Sequence, residues 1–214
     1  MGPQETAAAG TRRRSRQADF LHVAAELFAE RGYGGTSIDD LGARLGVSGP
    51  AVYWHFASKE ALLTQMLEDI SDRLLAGGTR CLAEALDDHQ GLRNLVRWQV
   101  RFALDHPELI TVHARELAHV PPPARRRIRS AQRRYVEQWV EALGGVAPGS
   151  APELRRAATH AAIGLINSTP YLGTELDGAA AAGLLEEMAV AALYRSVGMR
   201  PPAGATTAPE RDDG

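Results

Sequence analysis

The sequence predicts an all-α fold: a compact three-helix head at the N-terminus with a helix-turn-helix layout, followed by a larger helical domain. Three observations carry this. Apolar residues recur at three- and four-residue spacing through nearly every segment. The segments are punctuated by Gly, Pro and N-capping residues, as at Gly46, Pro121 to Pro123 and Ser58. No stretch shows the two-residue alternation of a strand, and no internal repeat is evident.

Residues 1–11 are rich in Gly, Ala and Thr and are expected to be a disordered tail. The run Thr11-Arg-Arg-Arg-Ser-Arg follows. Residues 13–31 read as the first helix, with Phe20, Val23, Ala24, Leu27 and Phe28 on one stripe, ended at Arg31-Gly32. Thr36 is placed to cap a second helix, with Asp39 three residues later completing a capping box. Leu41 and Leu45 share one face of that helix, and small Gly42 permits a close neighbour. Gly46 stands where a helix end needs a residue tolerant of positive φ, and Val47 follows as an apolar plug. Ser48 is placed to cap a third helix, with Pro50 in its first turn, where a missing N–H is harmless. Val52 and Phe56 anchor it to the second.

Ser58 caps the next helix, expected to run to about Ala76 on Leu62, Leu63, Met66, Leu67, Ile70 and Leu74. Gly77-Gly78 is expected to break it, with a further helix over 79–86 and a loop over 87–91. Residues 92–105 form a helix that His106-Pro107 stops, and another runs from Pro107 to about His119. Three consecutive prolines then make a firm break. A long helix over 124–143, basic in its first half, precedes a loop from Gly144 to Pro152. Two final helices fit 153–170 and 178–197, both with wide faces of small and apolar residues. Residues 200–214 are expected to be a second disordered tail, which leaves a head over 12–60 and a body over 61–199.

The layout of residues 36–60 is that of a helix-turn-helix, whose second helix enters the major groove of double-stranded DNA. The exposed positions fit that task. Ser48, Gly49, Pro50 and Ala51 open the recognition helix, and Gly49 and Ala51 are small enough to approach base edges. Tyr53, Trp54 and His55 form a polar-aromatic run that a purely structural helix does not need. Trp54 is expected on the base side; Thr36, Tyr53, His55 and Lys59 are expected at phosphates. Beside such a unit, the arginines at 12–16 are either a solvated tail or a basic arm reaching the backbone or minor groove.

This stretch closely resembles the DNA-binding signature of the TetR family of transcriptional regulators. The matching residues are Leu27, Phe28, Gly32, Tyr33, Thr36, Ser37, Leu41, Gly46, Val47, Ser48, Val52, Tyr53, His55, Phe56, Lys59, Glu60 and Leu62. Gly42 and Leu45 stand where the family usually has Ala, and neither removes a DNA contact. The resemblance implies a homodimer that pairs its last two helices into an intermolecular bundle and reads an inverted repeat. It also implies a C-terminal helical domain that binds a small-molecule effector and dimerises, with the helix after Ser58 as the moving link. A ligand-released repressor is the expected role. Candidate pocket residues on the facing helices are Met66, Ile70, Trp98, Phe102, His113, Tyr135, Trp139 and Asn167; each apolar one also reads as core.

Composition narrows the rest. Net charge is −2, so any nucleic-acid binding must come from a local patch. Lys59 is the single lysine, and the single cysteine, Cys81, excludes an internal disulfide and fits a cytoplasmic protein. No apolar run approaches the ~18 residues of a membrane span, and the N-terminus lacks the apolar core of a signal peptide. No cofactor and no enzyme activity are expected. Gly32-Tyr-Gly34-Gly35 follows no strand and precedes no Lys-Ser/Thr, and there is no Gly-x-Ser-x-Gly. His113, Glu116 and His119 fan over about 120° of one helix without a fourth ligand, so no metal site is assigned. Within the arginine run 125–134, Arg126, Arg129 and Arg133 read either as a solvated face or as a rim for a phosphorylated ligand such as an acyl-coenzyme A. Two alternatives stay beside the main reading: a metal-responsive regulator, and a helical small-molecule-binding protein without DNA function.

Overall fold

A computed structural model describes residues 3–173 and 176–202, with side chains described from residue 16 onward. All regular structure among the described residues is helical. The helices are α1 (Pro3–Arg31), α2 (Ile38–Arg44), α3 (Gly49–Tyr53), α4 (Lys59–Ala83), α5 (Asp88–Asp105), α6 (Pro107–Arg115), α7 (Pro122–Val146), α8 (Pro152–Ile166) and α9 (Gly178–Ser196). Short 3-10 turns follow α6 at Leu117–His119 and α8 at Thr169–Tyr171. From residue 203 on, the expected C-terminal tail lies outside the described residues.

The described chain divides into two compact units. The first holds the chain up to Ser71 together with Glu108–Arg129; the second holds Asp72–Pro107 and the residues from Ser130 on. The sequence pattern draws its boundary at residue 60, inside the first turn of α4.

In the first unit, Phe20, Leu27, Phe28, Leu41, Val52, Phe56, Leu62 and Leu63 form the core, with α2 packed on both α1 and α3. Phe20 meets Phe56 edge-on at 6.2 Å. In the second unit, α8 and α9 pack together and α5 lies against both. Trp139, Phe102, Leu92, Leu143 and Tyr194 fill that interior.

Several elements differ from the sequence expectation, each for a physical reason. α1 begins at Pro3, ten residues before the expected start, so the backbone of 3–11 is helical rather than a tail. Ala7, Ala8 and Ala9 have the highest helix propensity of any residue, and a first-turn proline is well tolerated. α4 runs unbroken through Gly77 and Gly78. A Cβ at Gly77 would strike the Trp98 indole, and one at Gly78 would come within 2.9 Å of the Tyr135 ring. These glycines let neighbouring aromatic rings touch the helix backbone; they do not end the helix. α5 starts at Asp88 because the Asp87 carboxylate accepts from the Gln90 N–H at 2.7 Å, which draws the expected loop into the first turn. α6 stops at Arg115, short of His119.

Candidate nucleic-acid interface

The helix-turn-helix is built from α2 and α3. The capping box of α2 sits one residue later than expected. Ser37 is the N-cap: its hydroxyl accepts from the Asp40 N–H at 3.1 Å, and the Asp40 carboxylate accepts from the Ser37 N–H at 2.8 Å. These bonds from Ser37, aided by Arg31, hold the Asp40 carboxyl below the usual carboxylate range. Thr36 instead turns inward. Only 2% of it is exposed, and its hydroxyl donates to the Gly32 carbonyl at 3.0 Å and lies 3.3 Å from that of Leu27. Its side chain therefore reaches no phosphate.

The turn between the helices uses Gly46 at φ +66°, where an L side chain would be strained. Gly42 is buried against the start of α3: a Cβ there would lie 2.7 Å from the Val47 carbonyl oxygen. Gly49, expected at base edges, is also buried, because the Asp39 carboxylate covers the place where its side chain would be.

Ser48 is the exposed N-cap of α3, but its hydroxyl makes no capping bond. Pro50 is exposed and Ala51 half-buried. The large outward groups are Tyr53, 54% exposed, and Trp54, 81% exposed. His55 leans back onto Phe20, with ring centroids 5.0 Å apart and Nδ1 buried without a hydrogen bond. It is a half-buried residue whose Nδ1 faces the interior and is turned away from any phosphate.

Lys59 also departs from expectation. Its ammonium donates to the carbonyls of Tyr33 at 2.8 Å and Thr36 at 2.7 Å, and lies 4.3 Å from the centre of the Tyr33 ring. The charge serves the α1–α2 turn and is engaged before any phosphate arrives. Ser58 caps α4 as expected, accepting from the Ala61 N–H at 3.0 Å.

A contact with no sequence signal joins the segment after α6 to this turn. His119 stacks on Tyr33 at 4.7 Å between centroids, and its Nδ1 lies 3.1 Å from buried Glu116. The spacing that suggested metal ligands thus serves packing. Among the described residues no group of three His, Cys, Asp or Glu side chains is placed to hold a metal.

The expected effector residues fall in both units. Met66 and Ile70 are buried in the first. His113 is also there, and burial lowers the pKa of its imidazole. The other five lie in the second unit: Trp98 packs on Gly77 and lies 6.4 Å from Phe102, while Trp139 meets Tyr135 edge-on at 6.2 Å, and Tyr135 and Asn167 meet at a residue the sequence did not single out, Gln99. Gln99 is 1% exposed. Its amide donates to the Asn167 side chain at 2.8 Å, and its carbonyl accepts from the Tyr135 hydroxyl at 3.0 Å. A glutamine on the apolar stripe of α5 is the signal that would have found it. Burial pushes the Tyr135 pKa far above the ordinary tyrosine value. The Trp139 indole N–H lies beside that hydroxyl without completing a hydrogen bond. A separate cavity of about 450 Å³, bordered by Leu82, Asp87, Asp88, Gln138 and Glu141, is lined by none of the expected pocket residues. Arg126, Arg129 and Arg133 are exposed at positions i, i+3 and i+7 of α7, and none pairs with an acid among the described residues. No helix among the described residues is long and apolar enough to cross a membrane.

Comparison with known proteins agrees with this arrangement. Residues 20–66 match the model for bacterial regulatory proteins of the tetR family, and residues 85–171 match the tetracyclin repressor-like C-terminal domain. The transcriptional activator FasR of Mycolicibacterium smegmatis is 37% identical over 84 residues, which cover 39% of this chain and 38% of FasR. The transcriptional repressor KstR2 of the same organism is 30% identical over 141 residues, 64% of this chain and 67% of KstR2. The crystal structure of a TetR-family regulator from Bordetella parapertussis superposes with a TM-score of 0.76 at 24% identity, over 83% of this chain and 93% of that one, a likeness of fold. With a matched helix-turn-helix, a matched C-terminal domain and a relative at this identity and coverage, the chain belongs to the TetR family of bacterial regulatory proteins.

Proposed function

We propose that this protein is a cytoplasmic, homodimeric DNA-binding repressor, not an enzyme, released from an inverted-repeat operator by a small lipophilic ligand. The observation that carries the reading is Trp54. A tryptophan 81% exposed at the end of a five-residue helix contributes little to the core. In a major groove it can pack on a thymine methyl or a sugar. Tyr53 beside it has a free hydroxyl for a phosphate, and Ser48, Pro50 and Ala51 border the groove.

The dimer is supported by α8 and α9. Leu154, Ala157, Ala161 and Gly164 are exposed along one face of α8, and Ala180, Leu184 and Met188 along one face of α9. These faces are suited to a four-helix bundle with a second copy, and a two-fold dimer matches a two-fold operator. The effector reading rests on the aromatic interior of the second unit. A ligand acts only through different affinity for two states. α4 is a suitable element to carry the difference, because Lys59 at its first residue holds the α1–α2 turn. The exposed arginines of α7 favour a ligand with an anionic head, such as an acyl-coenzyme A.

The test is fluorescence anisotropy on a duplex recovered by selection from random-sequence DNA, with and without a panel of acyl-coenzyme A esters, and light scattering for the dimer. Specific binding in the nanomolar range, weakening steeply with salt, is expected. Trp54→Ala is expected to change relative affinities across operator variants while leaving thermal stability within about 0.5 kcal/mol, as for other exposed sites. Unchanged relative affinities would remove Trp54 from readout. Operator binding that no ester releases would discard the arginine rim within the panel.

A further inference from the structure

The first helical residue of α3 is a glycine. It opens the end of the recognition helix that meets base edges, where a side chain has most to do. Gly49 is nonetheless buried, because a side chain from α2 lies over it. A Cβ on Gly49 would run into the carboxylate of Asp39 and would lie 3.8 Å from the Asp39 Cα. Asp39 itself is exposed. Its carboxylate therefore stands where a Gly49 side chain would stand, and remains open to solvent.

The structural uses of an acid at this place are filled by others. The cap of α2 is the Ser37–Asp40 pair, and the nearby cation, Arg31, lies 3.8 Å from Asp40. The Asp39 carboxylate makes no hydrogen bond or ion pair among the described residues. It does not cap α3 either, and the Ser48 hydroxyl leaves that position without a side-chain bond. The rest of the leading edge offers little to a base, since Pro50 and Ala51 carry no polar side-chain atom. A bare carboxylate there opposes the approach of a polyanion, unless it meets a donor on a base. The major groove presents such donors on two bases, the N4 amino group of cytosine and the N6 amino group of adenine. Adenine places its N7 acceptor beside the donor, and an ionised carboxylate only accepts. Cytosine shows the donor alone, so it is the base that suits this group.

We propose that Asp39 is a specificity-determining residue supplied by α2: its carboxylate replaces the absent side chain of Gly49 and accepts a hydrogen bond from the N4 amino group of one cytosine in each half-site. The proposal rests on the DNA-binding reading above and names the base read at the start of the recognition helix.

The experiment selects duplexes from random-sequence DNA with the parent, Asp39→Asn and Asp39→Ala. Anisotropy then gives affinities for the parent's operator, for the same duplex with the responding cytosine changed to adenine in both half-sites, and for a scrambled duplex of equal length. The parent is expected to require cytosine at one position per half-site. Asn pairs with the N6 and N7 groups of adenine, so Asp39→Asn is expected to move the preference at that position alone to adenine. Asp39→Ala is expected to relax it. In both variants the ratio of operator to scrambled affinity is expected to fall about fivefold or more. Affinity for the scrambled duplex is expected to hold or rise, because a negative charge has left the interface. Unchanged melting temperatures confirm that the head is intact. Equal weakening on both duplexes would mean a structural role and overturns the proposal. So does an unchanged preference in Asp39→Asn, or a responding position that is not cytosine in the parent; each of these leaves the DNA-binding reading standing. A parent that enriches no sequence overturns the DNA-binding reading and this proposal with it.

Discussion

Replacing Lys59 by Met separates two roles that one ammonium could have. Met keeps the unbranched stem and removes the charge. Two charge-assisted hydrogen bonds would be lost, to the carbonyls of Tyr33 and Thr36, together with the cation over the Tyr33 ring. Hydrogen bonds to charged groups contribute about 1.5 to 3 kcal/mol each, and a partly exposed cation–π contact about 0.5 to 1. Two effects work the other way. The site is only half-buried, so water can replace part of what is removed. A positive charge at the first residue of α4 also opposes the helix dipole, by about 0.3 to 1 kcal/mol. A net loss of about 2 kcal/mol is expected, or about 4 to 8 °C in melting temperature for a chain of this size. The assay is thermal denaturation followed by circular dichroism, paired with operator affinity across a salt series. The variant should melt earlier and bind more weakly to every sequence, with the salt slope unchanged. If Lys59→Met kept its melting temperature and lost about one phosphate contact in slope, the clamp would be wrong and Lys59 would be a direct DNA contact.

Two further perturbations probe the second unit. Gly78→Ala gains about 1 kcal/mol of helix propensity, but its Cβ must push aside the Tyr135 ring and the Gln138 amide; overpacking of this kind costs about 1 to 3 kcal/mol, so the variant should melt earlier, and a rise in melting temperature would show that the contact yields freely. Tyr135→Phe leaves the buried Gln99 carbonyl without its donor and should cost about 1 to 3 kcal/mol. Tyr135 also sets an alkaline limit. Its pKa is raised in the folded state, chiefly by burial, so its contribution is fully present below the unfolded value near 10. That contribution is lost as pH climbs from about 10 toward the folded value. Denaturant unfolding of Tyr135→Phe should therefore show a shallower decline above pH 10 than the parent, and parallel declines would refute the assignment.

Helix existence was legible because core-facing residues repeat at helical spacing over long windows. The outward aromatic pair was legible for the same reason: with Val52 and Phe56 fixed as the buried face, Tyr53 and Trp54 had to point away. The caps were not. Thr36 with Asp39 and Ser37 with Asp40 satisfy the same spacing rule, and the choice between them is made by a tertiary contact, the Thr36 hydroxyl reaching the Gly32 carbonyl. Gly77-Gly78 reads as a break because propensity sees the backbone but not the Trp98 and Tyr135 rings against it. Lys59 reads as a phosphate ligand because its two carbonyl acceptors lie 26 and 23 residues away. Gln99 was passed over because a polar residue on an apolar stripe reveals its use only when Tyr135 and Asn167 arrive from other helices.

Lys59 is the only lysine in the 214-residue chain, and its amine is held by two carbonyls and a ring. An acylating reagent must reach that nitrogen, and its two carbonyl bonds and the ring contact must open first. Side-chain amine chemistry on this protein is therefore a single-site process, timed by how often the α1–α2 turn opens and not by the reagent alone. The clamp that orders the head gives the molecule an intrinsic chemical clock, readable by mass at one residue and without an introduced label.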